Sequence, residues 1–399
     1  MADIYKAVKL TDKVYWVGAI DWTIRDFHGY TTHRGSTYNA YLILADKITL
    51  VDTVKAPFRE ELISRIASVV DPGDIEIIVS NHSEMDHTGC LYELIDLIQP
   101  EQVVASTMGT KTLGDIYHRE RTITPVKDGG ELSLGNMRLR FMETRMLHWP
   151  DSMFSYLPEE EILFSQDAFG MHLATAERFD DEIDPAILDY EGATYFANII
   201  LPYAPLVTKL VNRVASSGMT FKFIAPDHGP IWRRDIPGVI ANYSRWAAQK
   251  PTMKSVVVYG TMWHSTERMA RAICEGLAAA GAAAKCMSME VFHRSDVVYE
   301  VLDAGALIVG SSTLNNNMLP QVADVLTYLK GLRPANLLGA SFGSYGWSGE
   351  AAVHIADILK EMKVSPVAEP LKAQHVPTRE DLRKCYALGE EIARKLGEK

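Results

Sequence analysis

One short stretch carries most of the information in this sequence: His82-Ser83-Glu84-Met85-Asp86-His87. It places four side chains that can bind a metal within six residues. The apolar run at 75–79 before it is typical of a β-strand. A loop at the end of a strand can direct alternate side chains towards one point. Imidazole and carboxylate groups together favour iron, manganese or zinc, so the stretch predicts a metal site.

Further ligands are expected where other strands end. His148, Asp167 and His228 each follow an apolar run and precede a turn. The order H-x-E-x-D-H also matters, because hydrolytic zinc enzymes with H-x-H-x-D-H have a histidine where this chain has Glu84. An anionic oxygen ligand there favours Fe(II)/Fe(III) over zinc. Packing alone explains such clustering poorly.

The sequence divides near residue 251, at a polar break that contains a proline. Residues 1–250 hold 24 basic and 35 acidic side chains, whereas residues 251–399 hold 16 of each. In the first part we predict strands at 14–17, 38–44, 48–51 and 75–79 and a helix at 58–70. This mixture indicates a layered α/β fold.

Residues 251–399 alternate regularly between strands and helices. We predict strands at 255–259, 306–309 and 337–342, and helices up to about 277, over 319–329 and up to 362. The alanine cluster at 278–284 predicts a helix end and a turn around Gly281. The pattern is typical of a doubly wound parallel sheet, whose ligand lies at the C-terminal ends of the strands.

Three loops at these strand ends predict a flavin site. Backbone N–H groups at a helix N-terminus and hydroxyl groups bind phosphate, and neither G-x-x-x-x-G-K-[ST] nor G-x-G-x-x-G is present. Hydroxyl-rich phosphate binding without a lysine resembles flavodoxin, which binds FMN. An aromatic side chain, Tyr345 or Trp347, can stack on the ring, and Trp263 could equally cover it. The loop residues are Thr261, Met262, Trp263, His264, Ser265 and Thr266; Ser311, Ser312, Thr313, Leu314, Asn315 and Asn316; and Gly343, Ser344, Tyr345, Gly346, Trp347, Ser348 and Gly349.

Along essentially its whole length the chain resembles the flavodiiron proteins (A-type flavoproteins). The resemblance implies a metallo-β-lactamase-like αββα diiron domain over 1–250 and a flavodoxin-like FMN-binding domain over 251–399. It further implies that Tyr195 and His172 lie near the diiron pocket, with ordinary buried polar residues as the alternative. Its metal pattern maps one iron onto His82, Glu84 and His148, the second onto Asp86, His87 and His228, and the bridge onto Asp167.

The resemblance also implies an activity and its partners. FMN and two irons per chain would reduce dioxygen to water, nitric oxide to nitrous oxide, or both, as detoxification in an anaerobic prokaryote. The donor would be rubredoxin or a reduced deazaflavin coenzyme, and the assembly a head-to-tail homodimer that places FMN of one subunit against the diiron site of the other. Two alternatives stay open: a zinc hydrolase fused to a flavin domain, and an electron-transfer or sensing module without turnover.

Composition excludes several classes of partner and of site. The net charge of −11 argues against a nucleic-acid partner. The four cysteines form no C-x-x-C pair, so we predict no disulfide framework, zinc ribbon or fused rubredoxin site, and a cytoplasmic location. No run approaches the ~20 apolar residues of a membrane helix, and no signal peptide is recognisable. His28 and His33 have no ligand-type neighbours in the sequence, so we predict loop positions without a metal role.

Overall fold

The computed structural model describes residues 4–119 and 122–398. The chain divides into two units. The first comprises Met1–His28, Thr32–Tyr195 and Pro205–Ser244, and the second comprises Gly29–Thr31, Phe196–Ala204 and Arg245–Lys399.

Short strands dominate the described residues up to 250. The strands are β1 (Val8–Lys9), β2 (Val14–Trp16), β3 (Ala19–Asp21), β4 (Asp26–Phe27), β5 (Tyr30–Thr31), β6 (Ser36–Tyr38), β7 (Tyr41–Ile43), β8 (Thr49–Val51), β9 (Ile77–Ser80), β10 (Gln102–Ser106), β11 (Thr124–Val126), β12 (Glu131–Ser133), β13 (Arg138–Glu143), β14 (Met153–Leu157), β15 (Ile162–Gln166) and β16 (Phe223–Pro226). The α-helices are α1 (Arg59–Ala67), α2 (Met85–Thr88), α3 (Leu91–Ile98), α4 (Thr107–Tyr117), α5 (Pro185–Tyr195), α6 (Ala204–Ser216) and α7 (Ile236–Ala248), and a π-helical turn spans Phe196–Ile200.

Two sheets form the layers of the first unit. A seven-stranded sheet has the order β1-β2-β7-β8-β9-β10-β11, and a five-stranded sheet has the order β12-β13-β14-β15-β16. Pairing from β8 to β11 is parallel, as is the pairing of β15 with β16. β9 and β15, which precede the predicted ligands at 82–87 and 167, therefore end in crossover connections rather than in tight hairpins.

Alternation along the strands decides which layer each side chain enters. Val51 and Val79 share a buried cluster with Phe141 and Phe164 of the five-stranded sheet. Their neighbours on the opposite face, such as Ile78, pack with side chains of α1, α3 and α4. Because successive side chains point to opposite faces, one strand contributes to both cores. This arrangement buries the seven-stranded sheet on both faces.

The predicted strand at 38–44 is interrupted, and Asn39 explains why. Its amide donates to the carbonyl oxygens of Pro226 (2.7 Å) and Gly229 (3.0 Å) and accepts from the Trp16 indole at 2.8 Å. The backbone N–H of Asn39 also donates to the Asp227 carbonyl oxygen at 2.7 Å, which takes Asn39 out of the ladder, so β6 pairs with β3 while β7 pairs with β2. The same bonds fix the segment that carries His228.

The second unit contains a parallel sheet of the order β18-β17-β19-β20-β21, with β22 also paired to β20. This doubly wound arrangement confirms the predicted fold class. No helix of the described part of the chain is long and apolar enough to cross a bilayer. The elements are β17 (Lys254–Gly260), α8 (Ser265–Ala279), β18 (Ala283–Ser288), α9 (Arg294–Val301), β19 (Ala306–Ser312), α10 (Pro320–Leu332), β20 (Leu338–Tyr345), α11 (Ala351–Glu361), β21 (Ser365–Pro366), β22 (Leu371–Gln374) and α12 (Arg379–Gly397).

Candidate functional site

Four connections bring the predicted metal-binding residues together. The segment 81–84 joins β9 to α2, and His148 lies between β13 and β14. Asp167 directly follows β15, and His228 lies two residues beyond β16. All seven predicted ligands form groups whose candidate ligand atoms lie within 4.8 Å of one another.

The first half of the site surrounds one oxygen of Asp167. Its Oδ2 atom lies 3.5 Å from Nε2 of His82 and 2.7 Å from Nε2 of His148. The same nitrogen of His148 lies 3.0 Å from Oε2 of Glu84. Two imidazoles and two carboxylates therefore converge within reach of a single cation.

The second half faces the other oxygen of Asp167. Nε2 of His87 and Nε2 of His228 lie 3.1 Å apart, and Oδ2 of Asp86 lies 3.4 Å from the first and 3.2 Å from the second. Oδ1 of Asp167 lies 3.7 and 3.6 Å from the same two nitrogens. One carboxylate thus touches both halves, which is the arrangement a bridging ligand needs.

The donor atoms of this cluster fit a metal pair. Both ring nitrogens of His82 and all carboxylate oxygens of Asp86 and Asp167 are buried without a hydrogen-bond partner among the described residues. Unpartnered buried polar atoms are costly and call for an explanation. Three carboxylates and four histidines, aimed inward in two groups, suit two divalent cations such as iron.

Asp227 supports the cluster from behind, and the sequence interpretation missed it. Its Oδ2 atom lies 3.4 Å from Nδ1 of His82 and 3.8 Å from Nδ1 of His87, on the side away from the ligand atoms. Nδ1 of His228 instead donates to the Thr37 carbonyl oxygen at 2.6 Å. This hydrogen bond orients the His228 ring and leaves its Nε2 to bind the metal, whereas Asp227 lies at ion-pair distance behind the other two rings without a hydrogen bond to either. The signal was a carboxylate directly before a predicted ligand.

Burial and ion pairing have opposite effects on the pKa values of the cluster side chains. Burial disfavours ionisation of Asp167, yet His82 and His148 hold the pKa of its carboxyl well below the ordinary value. Burial likewise opposes protonation of His148, but the adjacent carboxylates of Asp167 and Glu84 raise its pKa to about 9. Without a metal His148 therefore carries a proton, which metal binding must displace.

His172 and Tyr195 lie beside the second half of the site. The His172 ring centroid is 4.6 Å from that of His228 and 5.1 Å from that of Tyr195. Nδ1 of His172 and the Ser36 hydroxyl lie 2.8 Å apart. Burial raises the pKa of the Tyr195 phenol well above its ordinary value, so the phenol keeps its proton.

His28 corrects the sequence interpretation. It lies in the loop that was predicted, but it is not remote from the ligands, because its Nε2 atom is 3.0 Å from Oε1 of Glu84. The two residues are 56 positions apart, so no local pattern could reveal the contact. His33 forms no part of the ligand groups found in the described residues.

Apart from the metal cluster, a cavity of about 780 Å³ opens at the C-terminal ends of β17, β19 and β20. Trp263 and Trp347 at its rim are 86 and 90% exposed, so their faces are open to a flat ligand. His375 and Val376, just after β22, also line it and were not predicted. The predicted residues that line it are Met262, Trp263, Ser265, Ser312, Thr313, Asn315, Asn316, Ser344, Tyr345, Gly346, Trp347 and Ser348.

The other predicted loop residues do not line this cavity. The Thr266 hydroxyl lies 3.0 Å from that of Ser312 and 2.9 Å from that of Ser344, so it ties the three loops together. The Thr261 hydroxyl is buried without a partner among the described residues, which fits a phosphate-binding role. His264 pairs with Glu267 at 2.7 Å. The remaining non-lining residues are Ser311, Leu314, Gly343 and Gly349.

Comparison with known proteins agrees with this geometry. Residues 37–229 match the family described as ODP family beta lactamase, and residues 257–389 match the flavodoxin family. A nitric oxide reductase of Moorella thermoacetica is 46% identical over 98% of this chain and 99% of its own length.

Two solved structures extend the match. Rubredoxin oxygen:oxidoreductase from the anaerobe Desulfovibrio gigas has a TM-score of 0.97 and 45% identity, covering 98% of this chain and 99% of that one. The flavodiiron protein from Giardia intestinalis has a TM-score of 0.95 and 34% identity, covering 100% and 98%. The chain therefore belongs to the flavodiiron proteins. It is an oxidoreductase whose cofactors are FMN and a diiron centre.

Proposed function

We propose that this protein reduces dioxygen to water, nitric oxide to nitrous oxide, or both, with electrons that reach the diiron centre through FMN. The observation that carries the proposal is the convergence of seven buried or nearly buried ligand residues on the two oxygens of Asp167. The activities of two relatives, named as a nitric oxide reductase and a rubredoxin oxygen:oxidoreductase, support the two substrates.

We assign one iron to His82, Glu84 and His148, the second to Asp86, His87 and His228, and the bridge to Asp167. When bound, the flavin and two irons together supply the four electrons that turn dioxygen into two waters, or the two that turn two nitric oxide molecules into nitrous oxide.

The chain's own side chains position the metal ligands and hold protons for the reaction. Asp227 places a carboxylate at ion-pair distance behind His82 and His87, and the Thr37 carbonyl orients His228. Both reductions consume protons, and the Tyr195 phenol holds one beside the cluster at neutral pH. We propose Tyr195 and His172 as the groups that hold and position protons for the substrate.

We further propose a domain division at 250/251, a head-to-tail homodimer and a cytoplasmic location. Rubredoxin is the proposed donor, with a reduced deazaflavin coenzyme as the alternative. The name of the Desulfovibrio gigas relative supports the first choice. The two candidate donors differ in kind, one a small iron protein and the other a coenzyme, so separate assays distinguish them.

Parallel rate measurements test the function. Iron- and FMN-loaded protein is reduced through rubredoxin or through the deazaflavin coenzyme, and dioxygen consumption and nitrous oxide formation are recorded separately. We expect turnover of at least one gas in wild type, loss in His148→Ala, and unchanged rates in His118→Asn, which alters an exposed histidine. Zinc in both metal positions of an active preparation, or reduction without gas turnover, would overturn the proposal.

A further inference from the structure

Cys274 and Cys286 form a thiol pair in the second unit, away from the flavin loops in sequence. Cys274 lies on α8, and Cys286 lies on β18, the edge strand that pairs with β17. Cys286 pairs with Val257 across the sheet, and Cys274 packs against the same helix–sheet cluster as Val257, so the two side chains lie on one face of the sheet within hydrogen-bond reach of each other. The helix and the strand are joined by a short turn at Gly281, whose φ is +85°. The pair is therefore held by two adjacent elements rather than by mobile ends.

The environment divides the two thiols into different roles. Cys286 is exposed, whereas Cys274 is partly buried against the helix–sheet core. The hydrogen bond from Cys274 and the nearby Arg271 guanidinium lower the pKa of the Cys286 thiol. The same hydrogen bond, together with burial, raises the pKa of Cys274. Cys286 is thus suited to act as the nucleophile, and Cys274 stays a protonated thiol next to it.

The two other cysteines provide an internal comparison. Cys90 and Cys385 are both fully buried. Cys90 donates to the Val54 carbonyl oxygen at 3.2 Å, and burial raises the pKa of its thiol. Burial raises the pKa of Cys385 to about 12. Neither thiol combines the exposure and the ionisation that reaction with an oxidant needs.

We propose that Cys274 and Cys286 are an oxidant-sensitive pair that closes into a reversible disulfide. A hydroperoxide is the oxidant. The Cys286 thiolate attacks hydrogen peroxide, its sulfur becomes a sulfenic acid, and the O–O bond breaks to release water once a proton is taken up. The Cys274 sulfur then attacks the sulfenic sulfur, its proton leaves with the hydroxyl group, and a second water is formed.

The balance is two thiols and one hydrogen peroxide giving one disulfide and two waters. Two electrons pass from the thiols to the peroxide, and a dithiol reductant returns them by exchange. Closure requires the sulfur atoms to move from hydrogen-bond contact to a bond of about 2.05 Å. The new bond would link α8 covalently to the edge strand of the sheet. This helix begins at Ser265, which lines the flavin cavity.

Peptide mapping of the full-length FMN-loaded protein tests the proposal. Trypsin cleaves after Arg271, Lys285 and Arg294, so the two cysteines fall in separate peptides, 272–285 and 286–294. After hydrogen peroxide treatment, denaturation and alkylation, we expect these peptides to be joined and two hydrogen atoms lighter. The number of alkylatable thiols should fall from four to two, and dithiothreitol should restore all four.

Matched variants separate the steps. In Cys274→Ser the oxidation should stop at the sulfenic acid of Cys286, which dimedone labels, whereas Cys385→Ser should leave the joined peptide unchanged. The FMN content of each variant serves as the folding control. The peptide map of the wild type tests the disulfide even if a variant does not fold. Four alkylatable thiols after peroxide treatment of wild type, or joined peptides that contain Cys90 or Cys385 instead, would overturn the proposal.

Discussion

Asp167 is the residue on which the geometry of the metal cluster depends most. Its Oδ2 faces His82 and His148, and its Oδ1 faces His87 and His228. A neutral amide at this position would keep the size of the side chain but would offer one oxygen and one NH2 group. It would also remove the negative charge between two cations.

We therefore predict that Asp167→Asn lowers iron content from about two per chain to one or fewer, because the shared anionic ligand is lost. Metal analysis and the FMN absorption spectrum are the measurements, and the flavin spectrum should not change. Asp128→Asn, in which an exposed carboxylate paired with Arg213 is altered, should retain full iron content. Unchanged iron in Asp167→Asn would show that Asp167 is not a ligand.

Glu191 is a buried carboxylate outside the metal cluster. Its side chain is 3% exposed and pairs with Arg34 at 3.0 Å. Burial raises its pKa to about 7 despite the guanidinium. Because the folded-state pKa is raised, its contribution to stability is complete below the unfolded pKa and is lost as the pH rises through 7.

We predict that wild type loses stability relative to Glu191→Gln between pH 5 and pH 8, by at most about 3 kcal/mol. The glutamine stays neutral across this range, so it lacks the titration. Urea unfolding at both pH values measures the difference, and Glu290→Gln, at an exposed position, should track wild type. A difference between wild type and Glu191→Gln that does not vary with pH would contradict the expectation.

At the scale of elements, two glycines allow α8 and α12 to pack closely. A Cβ atom on Gly276 would overlap the carbonyl oxygen of Tyr386, and one on Gly389 would overlap the carbonyl oxygen of Ile273. Both obstacles are backbone atoms, which cannot rotate away as a side chain does. The helices therefore require glycine at the crossing despite its low helix propensity.

We predict that Gly276→Ala and Gly389→Ala each destabilise the flavin-binding unit by about 1–3 kcal/mol. FMN release during urea unfolding, followed by flavin fluorescence, reports on this unit. Gly331→Ala on α10 is the matched control, because a Cβ there meets nothing within 4 Å. It should be neutral or stabilising by up to about 1 kcal/mol. Equal effects at all three positions would argue against the crossing.

At the scale of the whole molecule, the proposed head-to-tail dimer distributes one electron path over two chains. A closed two-fold arrangement gives two equivalent pairs of FMN and diiron site. If each pair combines cofactors of different subunits, complementary defects in the two chains leave one pair intact. Defects combined in one chain leave none.

We predict that a heterodimer of a His148→Ala chain and a chain with Thr261→Val and Ser265→Ala recovers part of the wild-type turnover, although each homodimer is inactive. Purified, doubly tagged heterodimers provide the measurement. A heterodimer of one wild-type chain with one chain carrying all three changes is the control, and it should be nearly inactive. The opposite result would mean that electrons pass within a chain.

Local sequence determined much of this protein. The ligand run at 82–87, the hydroxyl-rich loops after β17, β19 and β20, and the apolar strands all depend on neighbours a few positions apart. Strand alternation and strand-end loops constrain such residues whatever the rest of the chain does. For this reason the sheet class and the ligand candidates could be predicted.

Tertiary structure alone decided the rest. β18 was missed because Ala283–Ser288 has weak strand propensity, and six paired positions on β17 stabilise it instead. His28 reaches Glu84 across 56 positions, and Asp227 contacts His82 across a greater separation. Such contacts depend on how packed layers bring strand ends together. The spacing of residues in the sequence does not predict these contacts, because burial and long-range packing create them.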